Sequence, residues 1–171
     1  IFDSYSCRIH KGTHCAVDRF KIFIRKVSNN NTKTVWVLKC DIRKFFATID
    51  HQVLFSILER DIKDERLIEL LKNIVYSFHG QLGKGLPLGN LTSQLLVNVY
   101  MNEFDQYVKH TLKQRYYIRY ADDFVFMATD KREFENLLPL LISFLEKNLK
   151  LSLHPNKVFI KTIASGVDFL G

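Results

Sequence analysis

Two strand-like runs, residues 116–121 and 124–129, meet in a very tight turn, and this pair most narrowly limits how the chain can fold. Aromatic and β-branched residues favour strands, and so short a connection favours an antiparallel hairpin. Asp122 and Asp123 lie at or beside its tip. A third carboxylate, Asp41, ends another apolar strand-like run far upstream. The hairpin therefore presents acidic side chains instead of burying them.

These three carboxylates can converge on one side of a sheet although they are distant in sequence. Two Mg²⁺ ions held about 3.5–4 Å apart need oxygen ligands from rigid elements, because they act on opposite sides of one phosphorus. The pattern therefore points to two-metal nucleotidyl transfer. The ordinary alternative is that Asp41 ends a strand while Asp122 and Asp123 form a polar turn, a common use of aspartate.

The composition favours one globular domain with a polyanionic partner. The chain has 171 residues, of which 47% are hydrophobic, and this suffices for one sizeable core. Lysine and arginine number 25 against 18 acidic residues, and the net charge of +7 is spread along the chain. Such a balance suits nucleic acid, although a merely basic, soluble surface has the same composition.

The cysteines favour a reducing compartment. Cys7, Cys15 and Cys40 lack the paired short spacing of a zinc ribbon, and no signal peptide or bilayer-length apolar run is present. We therefore expect a cytoplasmic protein without a membrane partner. Cys7 and Cys15 form a weak zinc candidate with His10 and His14, because adjacent ligands at 14 and 15 are awkward for tetrahedral zinc.

The remaining patterns predict an α+β fold. Asp50 is a suitable N-cap for a helix through about Asp61, and a second helix is expected over 64–78. A Gly-rich stretch, 79–90, leads into a helix that starts at Thr92 or Ser93 and ends near His110. A helix interrupted by Pro139 is expected over 131–149, with strand-like pieces over 151–170. The order of elements predicts a mostly antiparallel sheet carrying helices on one face.

Six short segments follow one another in a recognisable order: 4–14, 41–46 (DIRKFF), 85–94 (GLPLGNLTSQ), 120–123 (YADD), Lys157 and 166–171 (GVDFLG). They resemble, in turn, the fingers block that precedes motif A, motifs A, B and C, the motif D lysine, and the start of the primer grip of reverse transcriptases. The resemblance implies a polymerase palm with part of the fingers. Residues 1–34 would be partial fingers and 35–171 the palm, ending within the primer grip with the thumb absent, so we expect these residues alone to have weak or no polymerase activity.

The resemblance also implies roles for the acidic residues. Asp41 and Asp122 would be the main Mg²⁺ ligands, helped by the carbonyl of Ile42, with Asp123 in a supporting role and Mn²⁺ as a substitute ion. Lys157 would protonate the leaving pyrophosphate or stabilise its charge. Its ordinary alternative is a solvated surface lysine.

Three residues are implied in nucleotide binding. Phe45 looks like the ring that packs under the incoming sugar and excludes a 2′-hydroxyl, although core packing, which we assign to Phe46, would also explain it. Leu88 precedes Gly89 where many reverse transcriptases have Gln. An aliphatic residue at this position is similar to the pattern in the reverse transcriptases of diversity-generating retroelements. Their cDNA synthesis is error-prone opposite template adenine. Group II intron reverse transcriptases are the nearest rival.

The implied partners are template RNA, a primer, dNTPs and a basic accessory protein, in a bacterial or phage-encoded system. Arg8, Lys11 and Tyr120 are candidates for nucleic-acid contact, with surface charge and core packing as alternatives. A non-catalytic nucleic-acid-binding palm is a second hypothesis, disfavoured because clustered carboxylates repel phosphates unless cations neutralise them. An RNA-templated RNA polymerase is a third, disfavoured by the bulky Phe45.

Overall fold

The computed structural model describes residues 2–77 and 82–170 and contains an antiparallel sheet of four strands in the order β2-β3-β1-β4. The strands are β1 (Trp36–Asp41), β2 (Tyr117–Tyr120), β3 (Asp123–Ala128) and β4 (Phe159–Thr162). The predicted α+β class, the antiparallel sheet and the hairpin are confirmed. The predicted end of the second helix and the start of the Gly-rich stretch, 78–81, lie outside the described residues.

Six α-helices in the described residues accompany the sheet: α1 (Thr13–Val27), α2 (Phe45–Thr48), α3 (His51–Asp61), α4 (Glu65–Tyr76), α5 (Leu91–Gln106) and α6 (Arg132–Leu149). A π-helical turn, Tyr107–Thr111, extends α5, and a 3₁₀ turn, Ile163–Ser165, follows β4. The Asp50 carboxylate accepts a hydrogen bond from the Val53 amide and caps α3 as predicted. Asp64 caps α4 in the same way.

Some local expectations are corrected. α5 begins at Leu91, because the Asn90 side chain accepts a hydrogen bond from the Thr92 amide and is the cap. α6 continues through Pro139, and its buried stripe of large apolar residues explains why one lost hydrogen bond does not end it. α1 was not expected as a helix at all.

The helices that follow β1, α2 to α6, pack on one face of the sheet as predicted, and α1, within residues 1–34, packs on the other face. On the first face, Leu38 and Phe126 pack in a core with residues of α3, α4, α5 and α6. On the second face, Val37 and Met127 pack against residues of α1. Neighbouring strand residues point to opposite faces, so Lys39 and Asp41 share the second face with Val37. Within the described ranges, no helix combines the length and hydropathy needed to cross a bilayer.

Candidate active site

The three carboxylates meet at one end of the sheet, and we call Asp41, Asp122 and Asp123 the acidic edge. Asp41 at the end of β1 is the register partner of Asp123 at the start of β3. The amide of Ile42 donates a hydrogen bond of 3.3 Å to the carbonyl of Asp122. Backbone pairing between a strand end and a hairpin turn therefore produces the expected convergence, without help from any loop.

Two lysines contact the acidic edge. Lys157 Nζ lies 3.0 Å from Asp41 Oδ2, so the structure brings this expected site residue to the carboxylates. Lys39 Nζ lies 3.2 Å from Asp123 Oδ2 and donates to the carbonyl of Asp168 at 3.1 Å. Sequence reasoning missed Lys39, although its place two residues before Asp41 on a strand signals that the two side chains share a face.

The electrostatics of the acidic edge oppose full ionisation. Burial raises the pKa of Asp122 above its usual range, and the neighbouring Asp41 and Asp123 carboxylates raise it further. Burial also raises the pKa of Asp123, although the Lys39 ammonium opposes the shift. The hydrogen bond to Asp41 raises the pKa of Lys157, so Lys157 carries a proton at neutral pH. The acidic edge is therefore short of positive charge.

The side chains offer the donors that a hard divalent cation prefers. Carboxylate oxygens and a nearby backbone carbonyl suit Mg²⁺ or Mn²⁺. Asp123 Oδ1 is buried and has no hydrogen-bond partner, which is costly unless a cation or donor approaches it. In the conformation observed, Asp41 and Asp123 turn to their lysines. Across residues 2–77 and 82–170 no group of three or more His, Cys, Asp or Glu side chains is arranged to hold a metal, and this includes the Cys7–Cys15 segment.

The two phenylalanines of the DIRKFF segment differ from their expected burial. Phe45, expected beneath the incoming sugar, is 3% exposed and belongs to the main core. Phe46, expected in the core, is only partly buried. The reason is local, because the short helix α2 starts at Phe45 and directs this first ring inward. A ring that is buried in the core is not available to a nucleotide.

The middle of the Gly-rich stretch forms backbone hydrogen bonds with residues that follow Asp41 in the chain. The amide of Leu86 donates to the carbonyl of Phe46, and the amide of Gly85 to that of Ile49, both at 2.8 Å. His51 Nε2 donates to the carbonyl of Gly85 at 2.7 Å. This buried histidine was another residue missed from sequence. It ties the stretch to the N-terminus of α3.

Leu88 and Gly89 lie beyond this anchored part, just before α5. Leu88 is 76% exposed. Gly89 has φ +79°, a left-handed conformation that strains any side-chain-bearing residue, while the space around it is open. Backbone conformation therefore explains the glycine at 89.

The three expected nucleic-acid contacts differ in their surroundings. Arg8 is exposed and donates to the carbonyl of Ser4 at 3.2 Å. Lys11 bonds to the carbonyl of Phe2 and lies over the Tyr5 ring, and burial lowers its pKa. Tyr120 precedes the hairpin turn. Arg8 is therefore more exposed than Lys11, although each bonds to a carbonyl of its own chain.

Comparison with known proteins places this geometry in a family. The family model described as "Reverse transcriptase (RNA-dependent DNA polymerase)" matches residues 2–171. Protein YkfC of Escherichia coli is 29% identical over 98% of this chain and 54% of its own length. The group II intron-encoded protein LtrA of Lactococcus lactis is 33% identical over 43% of this chain and 13% of its own length.

The fold has solved counterparts. An apo telomerase structure from Candida tropicalis superposes on 99% of this chain and 35% of its own with a TM-score of 0.74, at 13% identity. The chain spans about half the length of the E. coli relative and less of the others. The family match covers all of the described residues, including the acidic edge and the hairpin that carries it. The chain therefore belongs to the reverse transcriptase (RNA-dependent DNA polymerase) family.

Proposed function

We propose that the intact protein synthesises DNA on an RNA template and that the acidic edge is its nucleotidyl-transfer site. The in-register pairing of Asp41 with Asp123, beside the bond between Ile42 and Asp122, carries the proposal. Asp41, Asp122 and the carbonyl of Ile42 would hold two Mg²⁺ ions, or Mn²⁺ in their place. When bound, the cations lower the pKa of the primer 3′-hydroxyl and stabilise charge on the attacked phosphate.

The lysines act around these carboxylates. Lys157 is protonated and exposed beside Asp41, so it is placed to donate a proton to the leaving pyrophosphate or to stabilise its charge. Lys39 stays with Asp123 and prevents this half-buried carboxylate from repelling the incoming phosphates. Asp123 consequently has a supporting role. Arg8 supplies a salt-sensitive, sequence-independent contact to the phosphate backbone.

Primer extension tests the proposal most simply. The intact protein with Mg²⁺, dNTPs and a primed RNA template should extend the primer, and Asp122→Asn should reduce the rate by about 10³-fold, since it removes a metal ligand. Asp18→Asn, an exposed aspartate on α1, is the matched control and should extend normally. Equal extension by wild type and Asp122→Asn would refute the assignment of this site.

Phe46 rather than Phe45 would contact the incoming sugar. Phe46 is partly exposed, and its carbonyl accepts the Leu86 bond that anchors the Gly-rich stretch. Phe46→Ala should therefore increase ribonucleotide incorporation relative to deoxynucleotide incorporation. Phe45→Ala should instead destabilise the fold by about 3–5 kcal/mol, as expected for a buried ring. The proposal fails if only Phe45→Ala changes sugar selectivity in a folded protein.

Leu88 supports the narrower proposal of error-prone cDNA synthesis in a diversity-generating retroelement. A Gln can hydrogen-bond near the nascent base pair, whereas Leu gives contact without direction, so the free-energy gap between right and wrong pairs shrinks. Leu88→Gln should lower misincorporation opposite template adenine, measured by sequencing the cDNA. An unchanged error spectrum would remove Leu88 from the account.

A group II intron reverse transcriptase is the second candidate, favoured by the similarity to LtrA. Faithful copying of adenine by the wild type would favour it over the retroelement. In either case the partners would be template RNA, a primer and dNTPs, and the retroelement would add a basic accessory protein. The E. coli relative is compatible with a bacterial or phage source.

A further inference from the structure

A buried ion pair, which we call the Arg119–Asp105 pair, contacts the hairpin turn that carries Asp122. Both residues are 1% exposed, and Arg119 is the largest fully buried side chain among the described residues. Its Nε donates to Asp105 Oδ1 at 2.8 Å and its Nη2 to Oδ2 at 2.7 Å, a two-point contact between β2 and α5. The Tyr117 hydroxyl also donates to Asp105 Oδ1, at 2.7 Å. The Asp105 carboxylate is therefore fully satisfied.

The guanidinium has donors left over, and one of them reaches the hairpin turn. Arg119 Nη1 donates to the carbonyl of Ala121 at 3.0 Å, and Nη2 donates to Ser4 Oγ at 3.2 Å. Ala121 has φ +53°, a left-handed conformation that residues with a Cβ adopt only when their surroundings hold them there. Its carbonyl belongs to the peptide that leads directly into Asp122. One buried side chain thus holds the strained residue beside a candidate metal ligand.

Stability alone gives little reason for such a pair. Replacing a buried ion pair by apolar residues of similar volume is often neutral or stabilising, because removing both charges from water is expensive. Burial alone would lower the pKa of Arg119, but the Asp105 charge, the hydrogen bonds to Asp105 and the neighbouring Tyr117 together raise it, so the guanidinium stays charged. What apolar side chains cannot replace is the pair of bonds to Ala121 and Ser4. The use of this arginine is therefore geometric.

We propose that Arg119 is a positioning residue, held by Asp105, whose bond to the Ala121 carbonyl fixes the hairpin turn so that Asp122 is presented for cation binding. This inference rests on the proposed function of the acidic edge. It predicts that both charges of the pair can be removed without loss of the fold, while the geometry of the hairpin turn is lost. Groups that orient a metal ligand typically contribute about 10–100-fold to metal affinity.

The test measures folding and metal affinity separately. In the intact protein, Asp105→Leu with Arg119→Met removes both charges and keeps apolar volume. The matched control, Glu103→Leu with Arg60→Met, removes a partly exposed ion pair of 2.6 Å that also joins α5 to another element. Thermal melting by circular dichroism reports folding. Electron paramagnetic resonance of added Mn²⁺, without nucleic acid or dNTP, reports metal affinity independently of activity.

We expect the buried double variant to melt within a few degrees of wild type while binding Mn²⁺ about tenfold or more weakly. The surface double variant should bind as wild type does. Wild-type Mn²⁺ affinity in a folded Asp105→Leu, Arg119→Met protein would overturn the positioning role. If that variant does not fold, Arg119→Lys decides by the same criterion, since it keeps the charge but cannot supply the planar set of donors.

Asp122→Asn in the same assay separates this inference from the one on which it depends. If Asp122→Asn leaves Mn²⁺ binding unchanged, the acidic edge is not the metal site and the proposed function fails together with the inference. If Asp122→Asn abolishes binding and the buried double variant does not weaken it, only the role of Arg119 is lost.

Discussion

The acidic edge and the Arg119–Asp105 pair are two neighbouring groups of charged side chains with contrasting electrostatics. Asp105 is buried, and both of its oxygens accept charge-assisted hydrogen bonds. Asp122 and Asp123 are half-buried, their pKa values are raised, and one oxygen of Asp123 has no partner. The buried cluster is electrostatically complete, whereas the edge is left incomplete.

The difference indicates a division of labour. A complete cluster has one low-energy arrangement and can therefore hold the hairpin turn in place. An incomplete cluster lowers the stability of the fold, but it can bind a cation or a substrate without first losing other partners. The two clusters meet at Ala121, whose carbonyl is held by Arg119 and which precedes Asp122. Three variants test the comparison in order of expected effect on stability.

The largest effect should come from breaking the complete cluster. Arg119→Met alone leaves Asp105 charged and buried without its main partner, and we expect a loss of about 3–5 kcal/mol in the free energy of unfolding, measured with urea. Restoring balance with Asp105→Leu should recover most of this loss. A single-variant loss below about 1 kcal/mol would mean that the pair does not carry the charge balance assigned to it.

At the incomplete cluster a charge removal should act in the opposite direction. Asp122→Asn should stabilise the metal-free protein at neutral pH by about 1 kcal/mol, because the folded state no longer holds an unfavourable charge. The folded-state pKa of Asp122 is raised, so wild-type stability grows as pH falls through that pKa. The gain from Asp122→Asn should therefore vanish below the ordinary value of 3.8. Destabilisation at neutral pH, by urea unfolding without metal, would contradict the comparison.

The smallest effect should come from Lys157. Its side chain is 57% exposed, so its ion pair with Asp41 is screened by solvent. Lys157→Met should leave the free energy of unfolding almost unchanged while slowing nucleotide incorporation. Arg60→Met, which removes an exposed cation elsewhere, is the control. It should change neither the free energy of unfolding nor the rate of nucleotide incorporation. A large loss of stability would give Lys157 a structural role instead.

Local patterns were sufficient for the hairpin, for β1 and for the capped helices. Asp50 and Asp64 act within their own first turns, so a single sequence contains the needed signal. The convergence of Asp41 with the hairpin turn could also be predicted from the sequence, because the strand ends of one sheet have only a few possible positions. The face of each element was harder. α1 covers the second face through long-range packing, which its own residues do not specify.

The buried arginine was the least accessible to sequence reasoning. Arg119 is the one charged residue of β2, and an arginine ordinarily keeps its charged group in solvent. Its partner Asp105 lies on α5, and no local rule links the two. The burial of Phe45 and Phe46 could not be predicted for a related reason. The two rings are adjacent in sequence and differ only in the direction that α2 gives them. Pairing between elements, rather than propensity within them, decided these residues.

A crystal structure of the intact protein soaked with Mn²⁺ tests the central claim most directly, because anomalous scattering locates the ion without reference to activity. The account predicts an anomalous peak between the carboxylates of Asp41 and Asp122, within coordination distance of the Ile42 carbonyl, and no such peak in Asp122→Asn. Saturating Mn²⁺ with no peak at the acidic edge, or a peak that persists unchanged in Asp122→Asn, would contradict it.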